Sequence, residues 1–227
     1  MKKGIALLLC LAMILVVLTG CGKGGAQAGE SVKTGLAVIT SIGKSTDATD
    51  EKEGLAQADS TVVAVMVDKD GKIVNCRIDS VQTKINFSKD GKITTPLDTV
   101  VRSKQELKTE YGMIKASGIG KEWNEQADAF AKYVIGKTVE QVKGMALNEE
   151  GAPADKELAS SVTMHVTDYI AAIEKAVANA QDLGAKAGDK LGIGTYTTIA
   201  KSTDATADAE GLAQAYSSYT ATTFDAN

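Results

Sequence analysis

Histidine is nearly missing from this 227-residue chain, where His165 is the only one. That excludes a histidine-rich metal centre and argues against a Ser-His-Asp triad, which needs an oriented base beside its nucleophile. Cysteine is scarce too. Cys10 lies in an apolar leader and Cys21 closes it, so Cys76 stands alone and no disulfide framework or cysteine-based metal site can form. Aromatic residues make up only 4%, and no basic stretch carries interleaved aromatics in a chain of net charge −4. Nucleic acid is therefore not an expected partner. With no legible nucleophile–base pair, the sequence reads as a binding or carrier protein and not as an enzyme.

What is present begins with "MKK", a short positive leader, followed by the apolar run "GIALLLCLAMILVVL". This pattern predicts a secretory signal peptide over residues 1–20, since the run is short for a helix needing about 20 residues to span a membrane. "LTGC", with Thr19 and Gly20 before Cys21, resembles the bacterial lipoprotein signal. The resemblance implies that Cys21 becomes a lipidated mature N-terminus, which would hold the protein on the extracytoplasmic face of the cell membrane. Residues 21–34, "CGKGGAQAGESVKT", read as a Gly-rich tether.

The strongest organisational signal is a repeat. "KSTDATDEKEGLAQA" at 44–58 returns as "KSTDATADAEGLAQA" at 201–215, identical at 12 of 15 positions and 157 residues later. The offset also matches Gly35 with Gly192, Ile42 with Ile199 and Asp68 with Asp225. The first copy opens on the strand-like "LAVITSI". It then enters a hairpin in which Val63, Val65 and Val67 alternate, Asp70-Gly71 turns, and Ile73, Val74, Cys76 and Ile78 return. The second copy covers only the start of such a unit. Either the sequence is a piece of a longer tandem protein, or a residual strand pair docks on the first unit. The marginal stability of an isolated hairpin favours the former. The expected layout is a domain at 35–182, a linker at 183–191 and a partial second repeat at 192–227.

Between the copies the period changes to helical. Ser103 and Glu106 have capping-box spacing with Gly112 placed to end a short helix. Trp123, Ala127, Phe130 and Val134 share one helical face, and "TVEQVKGM" adds a short turn. Val166, Ile170, Ile173, Val177 and Ala180 form the cleanest stripe in the chain, on a helix expected to start just after Thr163. Strands followed by helices predict an α+β fold, an antiparallel sheet with helices packed on one face.

Read singly, few polar residues suggest chemistry. Glu122 and Glu125 read as solvent-facing helix residues, His165 as an exposed or satisfied side chain, and the "STDAT" loops as Asx and hydroxyl turns. "SGIG" at 117–120 is a weak phosphate-loop signal, and helix N-termini after Gly120 and after Thr163 would offer free N–H groups to an anion. The order of "VVAVMVDKDGKIVNCRIDSVQTK", "SGIGKEWNEQADAFAKYVIGKT" and "ASSVTMHVTDYIAAIEKAV" adds to this. Over about residues 60–181 it resembles the FMN-binding domain family, which includes extracytoplasmic flavin lipoproteins and electron-transfer subunits. Asp70–Ile73 match the family's hairpin, Gly118, Ile119 and Gly120 its turn, Gly136 and Lys137 the segment after its helix, and Ala172, Ile173, Ala176 and Val177 its last helix.

The resemblance implies FMN as cofactor, held in some members by a phosphoester on the last Thr of a Ser/Thr-Gly-Ala-Thr motif by a flavin transferase. By position that residue is Thr163, with Ser160 and Ser161 beside it and Gly118 and Gly120 across from it. The sequence departs from the pattern at Ser117, where proline is usual, at Glu157 for aspartate, at Ser161 for glycine and at Val162 for alanine. The glycine-to-serine change crowds a spot where backbone would approach phosphate. The implied function is an FMN-binding, electron-transferring membrane-anchored lipoprotein with membrane redox proteins as partners. A cofactor-free surface repeat module, structural or ligand-binding, is the alternative that the low aromatic content favours. Trp123, Tyr111, Tyr133, Phe130 and Phe87 are the candidates to pack a flavin ring.

Overall fold

Valine-rich alternation around a short turn produces the central hairpin. In the computed structural model, which describes residues 26–225, β2 (Gly54–Val67) and β3 (Ile73–Phe87) pair antiparallel. β1 (Lys33–Ser41) lies on the other side of β2, giving the order β1-β2-β3. Asp68 fixes the turn: its carboxylate accepts from the amides of Asp70 and Lys72 at 2.9 and 2.8 Å. Gly71 supplies the positive φ of 77° that the turn requires. The leader and Cys21 lie outside the described residues. Among the described residues no helix is long and apolar enough to cross a membrane.

Side chains alternate across this sheet, so each face needs its own cover. Val63, Val65, Val67, Ile73 and Ile78 point to one face, where they join the fully buried Phe130, Ile173 and Ala176 in the main core. That face is covered by α2 (Trp123–Val134) against β3 and α5 (Thr167–Ala178) against β1 and β2. The short helices α1 (Lys104–Leu107), α3 (Val139–Lys143) and α4 (Lys156–Ala159) fill the connections. The chain is thus α+β, with helices on one face of an antiparallel sheet. α5 approaches very closely: a Cβ added at Gly35 would lie 1.9 Å from the Ala176 carbonyl oxygen.

The opposite face is covered by the second repeat. β4 (Lys190–Thr198) and β5 (Tyr216–Phe224) pair antiparallel and lay Leu191, Ile193 and Ala221 on Leu36, Ala64 and Met66. The two copies match pair for pair. Gly35 faces Val65 and Gly192 faces Thr222; Ser41 faces Asp59 and Thr198 faces Tyr216. Even the loops agree: the Ser45 hydroxyl bonds the main chain of Gln57 as Ser202 does that of Gln214. Thr40 bonds Ser60 at 2.8 Å, as Thr197 bonds Ser217 at 2.8 Å. Thr49 and Thr206 each accept an amide two residues on, the hydroxyl turn read from sequence.

The packing between copies is reciprocal. β5 packs across β1 while β4 packs across β2 and β3, so corresponding faces of the two strand pairs meet. A groove between the copies is lined by Ala56 and Ala58 from one and Ala213 and Ala215 from the other. The strand pair therefore docks on the first unit's sheet, and burial of small apolar side chains on both sides supplies the stability that a lone hairpin lacks.

Two expected boundaries move for the same reason. The tether is shorter than 21–34, because Gly29 and Val32 donate to Ala187 and Ala185 at 2.9 and 3.0 Å and Val32 is buried. The segment 183–191 is not a free linker, since it supplies those acceptors and Ala185, Ala187 and Leu191 sit in the second core. Gly and Ala composition hid this: small residues here line a close contact between chain segments.

Candidate functional site

The first turn of α2 organises the candidate site. Gln126 is fully buried on the apolar stripe of that helix, where an unbonded carboxamide would be costly. All of its capacity is used. Its Oε1 accepts from the amides of Thr163 and Met164 at 2.9 and 3.2 Å and from the Thr163 hydroxyl at 3.3 Å. Its Nε2 donates to Ser117 Oγ at 3.2 Å and to the Lys121 carbonyl at 3.3 Å. One side chain thus ties the segment around Thr163 to the turn that holds Gly118 and Gly120.

The five residues expected at a cofactor site fall on this corner. Thr163, Ser160, Gly118 and Gly120 are exposed, and Ser161 is half-buried. Gly120 adopts φ 63° in a turn closed by its amide on the Ser117 carbonyl at 3.1 Å. The Ser160 hydroxyl is already committed to the Glu157 carbonyl at 2.6 Å. Ser161 Oγ accepts from the Lys121 ammonium at 3.1 Å, which brings a cation to the hydroxyl cluster. Neither Lys121 nor Gln126 was singled out in the sequence. The available signal was a glutamine interrupting an apolar helical stripe.

Two features of the expected anion site are corrected. Thr163 is not at the start of the last helix: α5 begins at Thr167, with Val166 as N-cap and Asp168 in the first turn. The Thr163 and Met164 amides, which helix geometry would have left free, are filled by Gln126. Nor is the start of α2 open to an anion. Glu122 is 2% exposed, and its carboxylate accepts from the amides of Met113 and Ile114 at 2.9 and 3.2 Å. Glu125 caps the Glu122 amide at 2.8 Å. Glu122 is therefore a buried loop anchor and not a solvent-facing residue, and two carboxylates complement the helix dipole there.

The aromatic candidates divide sharply. Trp123 and Phe130 are 2% and 0% exposed and belong to the core. Trp123 donates to the Tyr169 hydroxyl at 3.1 Å, with the rings edge to face at 6.2 Å. Burial pushes the Tyr169 phenol up to about 12, so it stays protonated. Tyr111, Tyr133 and Phe87 are half-buried. The Lys104 ammonium sits 4.5 Å from the Tyr111 ring centre and 5.2 Å from that of Trp123. His165 is exposed, and the Cys76 thiol is buried and raised to about 12, which makes it inert.

Comparison with protein-family models, with curated proteins and with solved structures gives no match. The site is accordingly judged on its own geometry. Thr163 is an exposed residue with a lysine bonded to Ser161 two residues before it, so an FMN phosphate would fit this corner as an ester on its hydroxyl. It does not fit as an anion cradled by the Thr163 and Met164 amides, because Gln126 already bonds both.

Proposed function

We propose that this chain is a membrane-anchored extracytoplasmic lipoprotein that carries FMN on Thr163 for electron transfer. The observation that carries the reading is Thr163, an exposed residue whose hydroxyl is held in place by Gln126, with Lys121 bonded to Ser161 two residues away. Thr163 would be the attachment point, presented to a flavin transferase. Lys121 would offset phosphate charge, and Gln126 would fix the segment against the Gly118–Gly120 turn. FMN, when bound, supplies one- and two-electron redox chemistry that the protein's own side chains lack. Co-expression with a flavin transferase should add an FMN-sized mass to the tryptic peptide containing Thr163. The increment and the visible flavin absorbance should vanish in Thr163→Ala. Absence of both in the native chain would remove this reading.

The anchor is tested separately. Cys21→Ser is expected to shift the protein from the membrane fraction to the soluble fraction or to leave the leader uncleaved. Unchanged membrane partition at the normal mature mass would count against lipidation.

A second reading, a cofactor-free surface repeat module, is supported by a different observation. Gln126 satisfies the amides that a phosphate would use, and the two repeats pack on each other by homologous faces. A colourless protein with no reversible FMN binding at micromolar concentration would favour it.

A further inference from the structure

Lys104 carries a charge into the interior without a counter-ion. It is 9% exposed and opens α1. Yet its ammonium makes no ion pair or hydrogen bond among the described residues. The nearby carboxylates are committed elsewhere. Glu106 accepts the Ser103 amide at 2.7 Å, and Asp79 accepts the amides of Ser80 and Gln105 at 2.7 and 3.2 Å. Asp59 is bonded to Lys44 at 2.8 Å. What surrounds the Lys104 ammonium is aromatic, with the Tyr111 and Trp123 ring centres 4.5 and 5.2 Å away. Ring faces attract a cation, but they leave its N–H donors without a strong acceptor.

A second unused donor touches the same indole. Tyr169 is also 9% exposed, and its hydroxyl accepts from Trp123 Nε1 at 3.1 Å while giving its own proton to no described residue. Two buried donors at one place call for an acceptor that the described residues do not supply. The polar side-chain atoms both sealed and unpaired are Thr34 Oγ1 and Asn124 Oδ1. The Lys104 ammonium is not one of them, so its tip reaches solvent above a buried stem. The backbone is also strained to build this place. Lys108 is the one non-glycine among the described residues with a positive φ, 49° with ψ −120°. That turn ends α1 and brings Tyr111 back onto Lys104, a strained conformation of the kind that clusters at ligand sites.

We propose that Lys104 and Tyr169 bind the carboxylate of a small organic acid whose apolar body lies against Tyr111. The ammonium and the phenol each donate to the carboxylate. Burial holds the phenol at about 12, so it keeps its proton throughout the neutral range. Charge selects a monoanion. Lys104 acts on Asp59, and Lys44 acts on both Asp59 and Asp168, so cations and carboxylates balance and a phosphate dianion is disfavoured. The site uses none of the groups at Thr163 and stands whether or not a flavin is attached there.

Trp123 is the only tryptophan, so its fluorescence reports on this place alone. Benzoate added to the full-length chain in detergent should change that emission saturably, with half-saturation at about 1 mM. Inorganic phosphate at the same concentrations should not. Lys104→Met keeps the apolar stem and should weaken benzoate binding by at least about tenfold, and Tyr169→Phe by about threefold. Thr163→Ala should bind benzoate as the wild type does. The Trp123 indole N–H resonance of the wild-type chain should also shift with benzoate, which keeps the test decisive if Lys104→Met does not fold. No saturable response to benzoate below about 20 mM overturns the proposal. So does an equal response to phosphate, or a folded Lys104→Met variant that binds as tightly as the wild type.

Discussion

Gly35→Ala should destabilise the protein by about 2–3 kcal/mol, while the same change at Gly192, its counterpart in the repeat, should fall within about 0.5 kcal/mol of neutral. Alanine in a strand interior is ordinarily the better residue, because glycine loses more backbone freedom on folding. At Gly35 that gain is overwhelmed. The added methyl would stand 1.9 Å from the Ala176 carbonyl oxygen and 3.1 Å from the Cα of Ala180. These are main-chain atoms of α5 and the segment just after it, so the whole helix must lift from β1. At Gly192 the nearest atom is Cε2 of Phe224 at 3.5 Å, an ordinary contact. Urea titrations of the two variants measure the contrast, and equal midpoints would mean that α5 does not seat on β1 this closely.

Gln126→Leu is expected to cost about 2–4 kcal/mol, since it strips partners from two amides, two hydroxyls and a carbonyl while keeping the apolar volume. The damage should be local. Hydrogen exchange at the Thr163 and Met164 amides should accelerate by at least about tenfold, whereas Val63 and Val65 in the centre of the sheet keep their protection. Gln126→Glu retains the acceptor for both amides but loses the donor to Ser117 and Lys121, so it should rescue protection at Thr163 and not in the 117–121 turn. If exchange at Thr163 is indifferent to both substitutions, Gln126 does not hold this corner.

The strands and long helices were legible because their side-chain periods are regular. Val63, Val65 and Val67 alternate, and Trp123, Ala127, Phe130 and Val134 recur every three to four residues. The start of α5 lies three residues later than its expected place just after Thr163, for a reason outside that period. Val166 donates to the Gly151 carbonyl, and Gln126 bonds Thr163 and Met164, so distant groups hold the chain out of a helix. The four-residue α4, capped by Asp155 on the amides of Glu157 and Leu158, is too short to leave a periodic trace. Sheet-on-sheet packing was hidden because its contacts use Ala64, Ala185, Ala187 and Ala221, residues that look neutral in sequence. Of the candidate site, the hydroxyl cluster and the glycine turn were visible; the link between them depends on one buried amide.

The side chains that close the outer edge of β1 also set an order of events in the cell. Lys175 and Asn179 reach back to Val38 and Leu36, 137 and 143 residues earlier in the chain. At translation rates of about 5–20 residues per second, β1 exists for roughly 7–30 s before its protectors are made. Throughout that interval the strand offers an open row of amides and carbonyls to any neighbouring nascent chain. In a newly synthesised molecule the β1 edge therefore stays open until the last helix emerges, so the incomplete chain is the species in which that strand can pair edge to edge.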